Sequence, residues 1–285
     1  MIRLSRCISL GTVWMLPEWS KGPVGDVGPA TFAAVASGGY VGIQVFSPEQ
    51  VPPAREAGLD TFGIGRADDA AALRDYVTRW EDAGVSAVST HLGTGFETDA
   101  EARQLIATFV ELTSGSPTLF TVETHRATVT QDPARTLALL ADAPSIGVTA
   151  DLAHWYLGCE MTYGGFDWKV PRLAPVLART RIVHGRTATN GSAQVPLPTG
   201  DERPPFVDHF AALWRAMFEA VVGSDDAPDV IPFIAELLPP HTNYGKLVPG
   251  PDGSPTEETD RWLEAERLYA FADAILQDVI DDLAG

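Results

Sequence analysis

Apolar, β-rich segments alternate with amphipathic ones along almost the whole 285-residue chain, and this alternation constrains the fold more than any other feature. Eight strands can be marked: Cys7 to Leu10, Gly42 to Phe46, Thr61 to Ile64, Val85 to His91, Leu119 to Glu123, Gly147 to Asp151, Arg181 to His184 and Val230 to Glu236. Helical signals fall between them. Thr31 to Ala36 is one; Asp69 to Ala83 carries Leu73, Tyr76, Val77 and Trp80 at helical spacing, with Gly84 just past its end. Thr98 and Glu101 form a capping box, Pro133 starts a helix behind Asp132, and a short piece lies near Arg172 to Ala178. Phe206 to Val221 and Asp260 to Leu283 complete the set. Strands joined by crossover helices, in a chain somewhat longer than the ~250 residues typical of the fold, predict one (β/α)8 TIM barrel over residues 1–285. GIGRAD, Gly63 to Asp68, lacks the lysine and hydroxyl of a phosphate loop and reads as a strand end and turn.

Ionisable residues recur where these strands end: His91, Glu123 with His125, Asp151 with His154, His184 with Arg186, and Glu236. Side chains two apart on a strand share a face, so Glu123 and His125 are expected to point the same way. In a barrel such residues converge on one mouth, where buried charge needs compensation, and a cation supplies it. Carboxylate plus imidazole suits Zn, Mn, Fe or Co, with Mg or Ca favoured where oxygen dominates. Long connections at Gly158 to Val170, Thr187 to Pro205 and Leu238 to Thr259 belong on the same rim, as do Trp14, Trp19, Trp155, Tyr156, Tyr163 and Trp168. Aromatic rings there can pack on the apolar faces of a small molecule. His209 and Trp214 read as helix packing.

Charge narrows the partners. Thirty-eight acidic residues against 20 basic ones give a net charge of -18, which disfavours nucleic acid. Cys7 and Cys159 are far apart and imply neither a disulfide framework nor a thiolate metal site, which fits a reducing, cytoplasmic setting. The N-terminal apolar run is interrupted by Gly11 and Thr12 without a small-residue cleavage site, so no export signal is expected. No window approaches the ~20 apolar residues of a membrane span. The apolar last helix and loop aromatics permit a homodimer without requiring one.

With Glu123 ending strand five, Asp151 and His154 as Asp-x-x-His ending strand six, His184 on strand seven and Glu236 on strand eight, the chain resembles the xylose isomerase-like TIM barrel superfamily, in its sugar phosphate isomerase/epimerase branch. The resemblance covers nearly the full length. It implies that Glu123, Asp151, His184 and Glu236 hold one divalent ion, Mn, Mg, Co or Zn, on a small polyhydroxylated carbonyl substrate. It further implies that the two glutamates exchange a proton with a substrate carbon through an enediolate, while His154 and Arg186 bind substrate oxygens. His91, Trp14 and Trp155 are expected to line the same substrate site.

Two positions depart from that pattern. Gln44 stands on strand two where many relatives carry Glu. His125, expected to titrate near neutrality, is an imidazole that a two-glutamate epimerase does not need. Its roles as general base and as a partner orienting Glu123 both stay open. The motifs ETHR, DLAHW, HGR and Gln194 to Pro196 resemble a less characterised subgroup. A lyase or dehydratase eliminating a β-substituent from a keto-sugar, keto-cyclitol or keto-glycoside, with His125 as base, is therefore the alternative. The superfamily's multinuclear phosphodiester hydrolases, and a barrel retained as a scaffold, are the remaining readings.

Overall fold

Eight parallel strands close on themselves in sequence order in the computed structural model, which describes residues 2–284: β1 Arg3–Ser9, β2 Gly42–Val45, β3 Asp60–Ala67, β4 Ala87–Leu92, β5 Leu119–Glu123, β6 Gly147–Ala150, β7 Thr180–Gly185 and β8 Val230–Ala235. β8 pairs with β1 from Arg3 opposite Val230 to Ile8 opposite Ala235, completing the barrel. The connecting helices are α1 Leu10–Val13, α2 Pro29–Ser37, α3 Val51–Glu56, α4 Ala70–Ala83, α5 Asp99–Thr113, α6 Pro133–Ala141, α7 Leu152–Gly158, α8 Phe166–Leu177, α9 Pro205–Val222 and α10 Arg261–Ala284. The expected single (β/α)8 TIM barrel is the observed architecture. No helix among the described residues is long and apolar enough to cross a membrane.

Period-two alternation explains how the barrel is filled. Cys7, Phe62, Ala87, Ile182 and Ile234 form a separate buried cluster that plugs its interior. Two residues further along their strands come Ser9, Ser89, His184 and Glu236, so the same inward row turns polar toward the C-terminal mouth. In β5 and β6 the row runs from threonine to acid. The Thr121 and Thr149 hydroxyls meet at 2.6 Å, one step below Glu123 and Asp151. The opposite row packs outward against the helices, where Trp80, Phe109, Phe210, Trp214 and Phe218 are buried.

Local signals act as expected at several helix ends. Asp69 accepts from the Ala71 and Ala72 amides at 2.9 Å, the Thr98/Glu101 box is formed, and Gly84 closes α4 with φ 67°. Other expectations need correction. Leu10 opens α1 rather than ending β1, because Ser9 caps a short helix through its hydroxyl. GIGRA forms the last five residues of β3, so the expected strand end holds but the turn does not. Gly63 and Gly65 are there for packing, since a Cβ on them would come within 2.8 Å of Trp80 and 2.9 Å of Tyr76. The segment after Asp151 is helix α7, and α8 begins at Phe166, so residues 158–170 are not one long loop. The 238–259 connection contains a small antiparallel hairpin, β9 Leu247–Pro249 with β10 Pro255–Glu257.

Candidate active site

Five elements deliver ionisable groups to the mouth. His91 comes from β4, Glu123 ends β5, Asp151 caps α7, His154 sits in the first turn of α7, His184 lies in β7, and Arg186 and Glu236 directly follow β7 and β8. Glu123, Asp151, His154, His184, Arg186 and Glu236 are all buried. Nδ1 of His184 stands 3.5 Å from Glu123 Oε2 and 3.6 Å from Glu236 Oε2. Ligand atoms of Asp151, His184 and Glu236 lie within 4.8 Å of one another, and so do those of Glu123, Asp151 and His154. The four expected ligands are thus brought together.

Arg186 ties the acids to one another. Its Nη2 donates to Asp151 Oδ2, lies 3.1 Å from Glu236 Oε2 and donates to His154 Nε2 at 3.1 Å. Because His154 Nε2 accepts, the ring proton is on Nδ1, which is buried without a partner. Nε and Nη1 of Arg186, Oε1 of Glu123 and Nδ1 of His184 are likewise buried and unpartnered. Native interiors rarely leave such groups unmet, so a cluster of them marks where a ligand belongs. Three carboxyls against one guanidinium leave two negative charges when all are ionised, which matches a divalent cation. The donor set of three carboxylates and one imidazole also fits Mn, Mg, Co or Zn.

Titration separates the two glutamates. Burial opposes ionisation of Glu123, but His91, with Nε2 3.1 Å from its Oε2, and His184 outweigh burial and hold its carboxyl well below the usual range. Ser89 also donates to that oxygen at 2.7 Å. Glu236 moves the other way: burial raises it, only partly offset by Arg186 and His184. Against its own burial, the two glutamates push His184 up to about 9.

His125 is where the structure departs most from expectation. It does reach the mouth, stacked on His91 at 4.0 Å between ring centres and tilted against His154 at 3.9 Å. Yet burial pushes it down to about 2, rather than leaving it near neutrality. Its Nδ1 bonds the Arg126 carbonyl at 2.5 Å, so Nδ1 carries the proton and Nε2 the lone pair. His154 is also held well below its ordinary value, by burial and then by Arg186.

Among the expected rim aromatics, Trp14 is partly exposed and meets the His241 ring edge-on at 4.7 Å. Trp155 and Tyr156 do not line the mouth. Both are buried in α7, the Trp155 indole N–H donating to the Thr130 carbonyl and the Tyr156 hydroxyl bonding His209 Nδ1. Trp155 therefore braces the β5 to α6 loop instead of meeting substrate. His209 packs on Phe166 at 4.2 Å, as helix packing requires.

Three contributors were missed. Ser89 supports Glu123, and its inward place two residues before His91 was the available signal. Tyr244 lies in the connection after β8 with the guanidinium carbons of Arg126 and Arg186 each 4.9 Å from its ring centre and His154 at 6.2 Å. Only its being an aromatic residue in a long rim loop hinted at this. Thr12 accepts the Leu237 amide at 2.9 Å and donates to the Ala235 carbonyl at 2.8 Å, bracketing Glu236. The Gln194 amide does the same one step further on, pairing with both backbone groups of Leu238 at 2.7 and 3.0 Å.

Comparison with solved structures matches this architecture over nearly the whole chain. A xylose isomerase-like TIM barrel protein from Mycobacterium smegmatis, in complex with magnesium, gives a TM-score of 0.57 at 13% identity and covers 97% of this chain and 98% of its own. The fold is that of the xylose isomerase-like TIM barrels. A sugar phosphate isomerase/epimerase from Parabacteroides distasonis gives 0.57 at 10% identity over 95% of this chain and 96% of its own. A probable 3-DHS dehydratase involved in petrobactin synthesis in Bacillus anthracis gives 0.54 at 13% identity over 95% and 98%. No protein-family model matches the sequence, and no curated protein does.

Proposed function

We propose that this xylose isomerase-like barrel is a divalent-metal-dependent isomerase or epimerase of a sugar or similar polyhydroxylated carbonyl compound, acting by proton transfer next to the carbonyl. The observation carrying this reading is the pair Glu123 and Glu236, on different strands, both within 3.6 Å of one imidazole nitrogen and shifted in opposite directions. Two carboxyls whose surroundings push them apart suit opposite proton-transfer roles. Glu123, held ionised and with Oε1 unpartnered, is the base. Glu236, whose proton is held more tightly, returns a proton.

Glu123, Asp151, His184 and Glu236 would hold the cation, which when bound supplies electrostatic stabilisation of negative charge developing on a substrate oxygen. The chain's other residues bind and orient. The free Nε and Nη1 edge of Arg186 and the Nδ1–H of His154 are donors for substrate hydroxyl or carbonyl oxygens. His91, His125 and Tyr244 form a ring-lined wall, and burial of the cluster excludes water. Chelator-treated protein assayed on a panel of ketoses, before and after adding back Mn, Mg, Co or Zn, tests this. Turnover should vanish on stripping and return with metal; undiminished turnover after stripping refutes metal dependence.

A second reading is favoured by one observation, the row of imidazoles His91, His125 and His154, which simple proton exchange between two glutamates does not require. In that reading the enzyme is a lyase or dehydratase, and His125 accepts the proton through Nε2. An ultraviolet-absorbing unsaturated product, and loss of turnover with intact metal binding in His125→Ala, are its marks.

A further inference from the structure

His184 presents its two ring nitrogens to different surroundings. Nδ1 faces the Glu123 and Glu236 carboxyls and has no hydrogen-bond partner. Nε2 points the other way and lies 3.0 Å from the side-chain amide nitrogen of Gln44 on β2. Both side chains are essentially inaccessible, Gln44 at 0% and His184 at 1% exposure, so water does not replace either partner.

A neutral imidazole has one N–H and one lone pair, and it ligates a cation only through the lone pair. Ligation through Nδ1 therefore requires the proton on Nε2, and a buried N–H requires an acceptor. Of the two ends of the Gln44 amide only the carbonyl accepts. That oxygen, Oε1, is buried without a partner, and a half-turn of the amide brings it onto Nε2 with no change of shape. The backbone holds Gln44 in place for this. All four residues of β2 are buried, and Gln44 is in register with Ser9 of β1 and Phe62 of β3.

We propose that Gln44 is a positioning residue of the metal centre: its carbonyl oxygen accepts the Nε2 proton of His184 and fixes the tautomer that leaves Nδ1 free for the cation. The assignment rests on the metal-dependent reading above. It gives a physical role to a residue that otherwise counts only as a missing acid. A glutamate here would accept the same proton but add a charge to a cluster whose three carboxyls and one guanidinium already balance a divalent ion. Removing a partner that orients a metal-ligating histidine typically costs 10- to 100-fold in metal affinity.

The test titrates chelator-stripped wild type, Gln44→Leu and Gln44→Glu with Zn2+ by calorimetry, and records long-range 1H–15N correlations of the His184 ring in the zinc-bound wild type. Expected are a proton on Nε2 in the wild type, zinc affinity roughly 10- to 100-fold weaker in Gln44→Leu, and affinity at least equal to wild type in Gln44→Glu, which keeps the acceptor. A purely structural role would lower the melting temperature of stripped Gln44→Leu without changing zinc affinity, and that result overturns the assignment. So does a zinc-bound wild-type ring protonated on Nδ1, a measurement that needs no variant to fold. A wild type that binds no divalent ion overturns the metal reading itself; a wild type that binds zinc alongside an equally tight Gln44→Leu overturns only the role of Gln44.

Discussion

Glu123 and Glu236 approach the same nitrogen, their Oε2 atoms 3.5 and 3.6 Å from Nδ1 of His184, yet one carboxyl is held low and the other high. At Glu123 the neighbouring His91 and His184 imidazoles outweigh burial, whereas at Glu236 burial outweighs Arg186 and His184, and this produces the asymmetry. In the proposed reaction it separates base from acid, so Glu123→Gln and Glu236→Gln should each lower kcat by about 10²-fold or more, at the general acid–base scale. Steady-state kinetics on the turned-over substrate check this.

Arg186 should behave as a substrate-binding residue as well as a partner of the acids. Arg186→Lys keeps a positive charge but loses the planar edge whose Nε and Nη1 are unpartnered. The expected result is a fall in kcat/KM of roughly 10²-fold, with the substitution still folded by circular dichroism. Equal kinetics in the variant would remove Arg186 from the binding site.

Glu264 gives the protein a pH-dependent stability remote from the proposed reaction. Burial raises it to about 7, against its bonds with the Leu197 amide and the Arg267 guanidinium, both 2.7 Å. Its folded value lies above the unfolded one near 4.5, so its contribution is full below pH 4.5 and is lost as pH rises through 7. At about 1.4 kcal/mol per unit, the loss is on the order of 3 kcal/mol. Urea midpoints should fall from pH 5 to pH 8 in the wild type, and Glu264→Gln should flatten that slope.

Packing predicts a second stability effect. A Cβ at Gly185 would come within 2.2 Å of the Phe233 ring, on the neighbouring strand. Gly185→Ala should destabilise by about 1–3 kcal/mol as an overpacked site, and Phe233→Leu in the same chain should recover part of it. Denaturant unfolding of the two single variants and the double variant measures both.

Much of this arrangement was legible in the sequence because it depends on short-range rules. Strand order, period-two alternation and strand-end placement suffice to bring Glu123, Asp151, His184 and Glu236 to one mouth, and the caps at Asp69 and Thr98 lie within a few residues of what they bond. What escaped depends on residues distant in the chain. The titration of His125 is set by burial against His91 of β4 and His154 of α7, and no local pattern carries that. Trp155 follows the site histidine His154 by one residue, yet α7 turns it inward to the Thr130 carbonyl. Tyr244 reaches His154 and Arg186 only because the connection after β8 folds back across the mouth. The glycines of β3 looked like a turn because their purpose, room for Trp80 and Tyr76, belongs to another element.

Proton transfer at carbon is the central claim, and isotope exchange tests it most directly. Metal-reconstituted enzyme should be run in deuterated water on whichever ketose it turns over, with product and recovered substrate examined by NMR. The account predicts deuterium on the carbon next to the carbonyl, lost in Glu123→Gln. Turnover with no solvent deuterium at that carbon would contradict it.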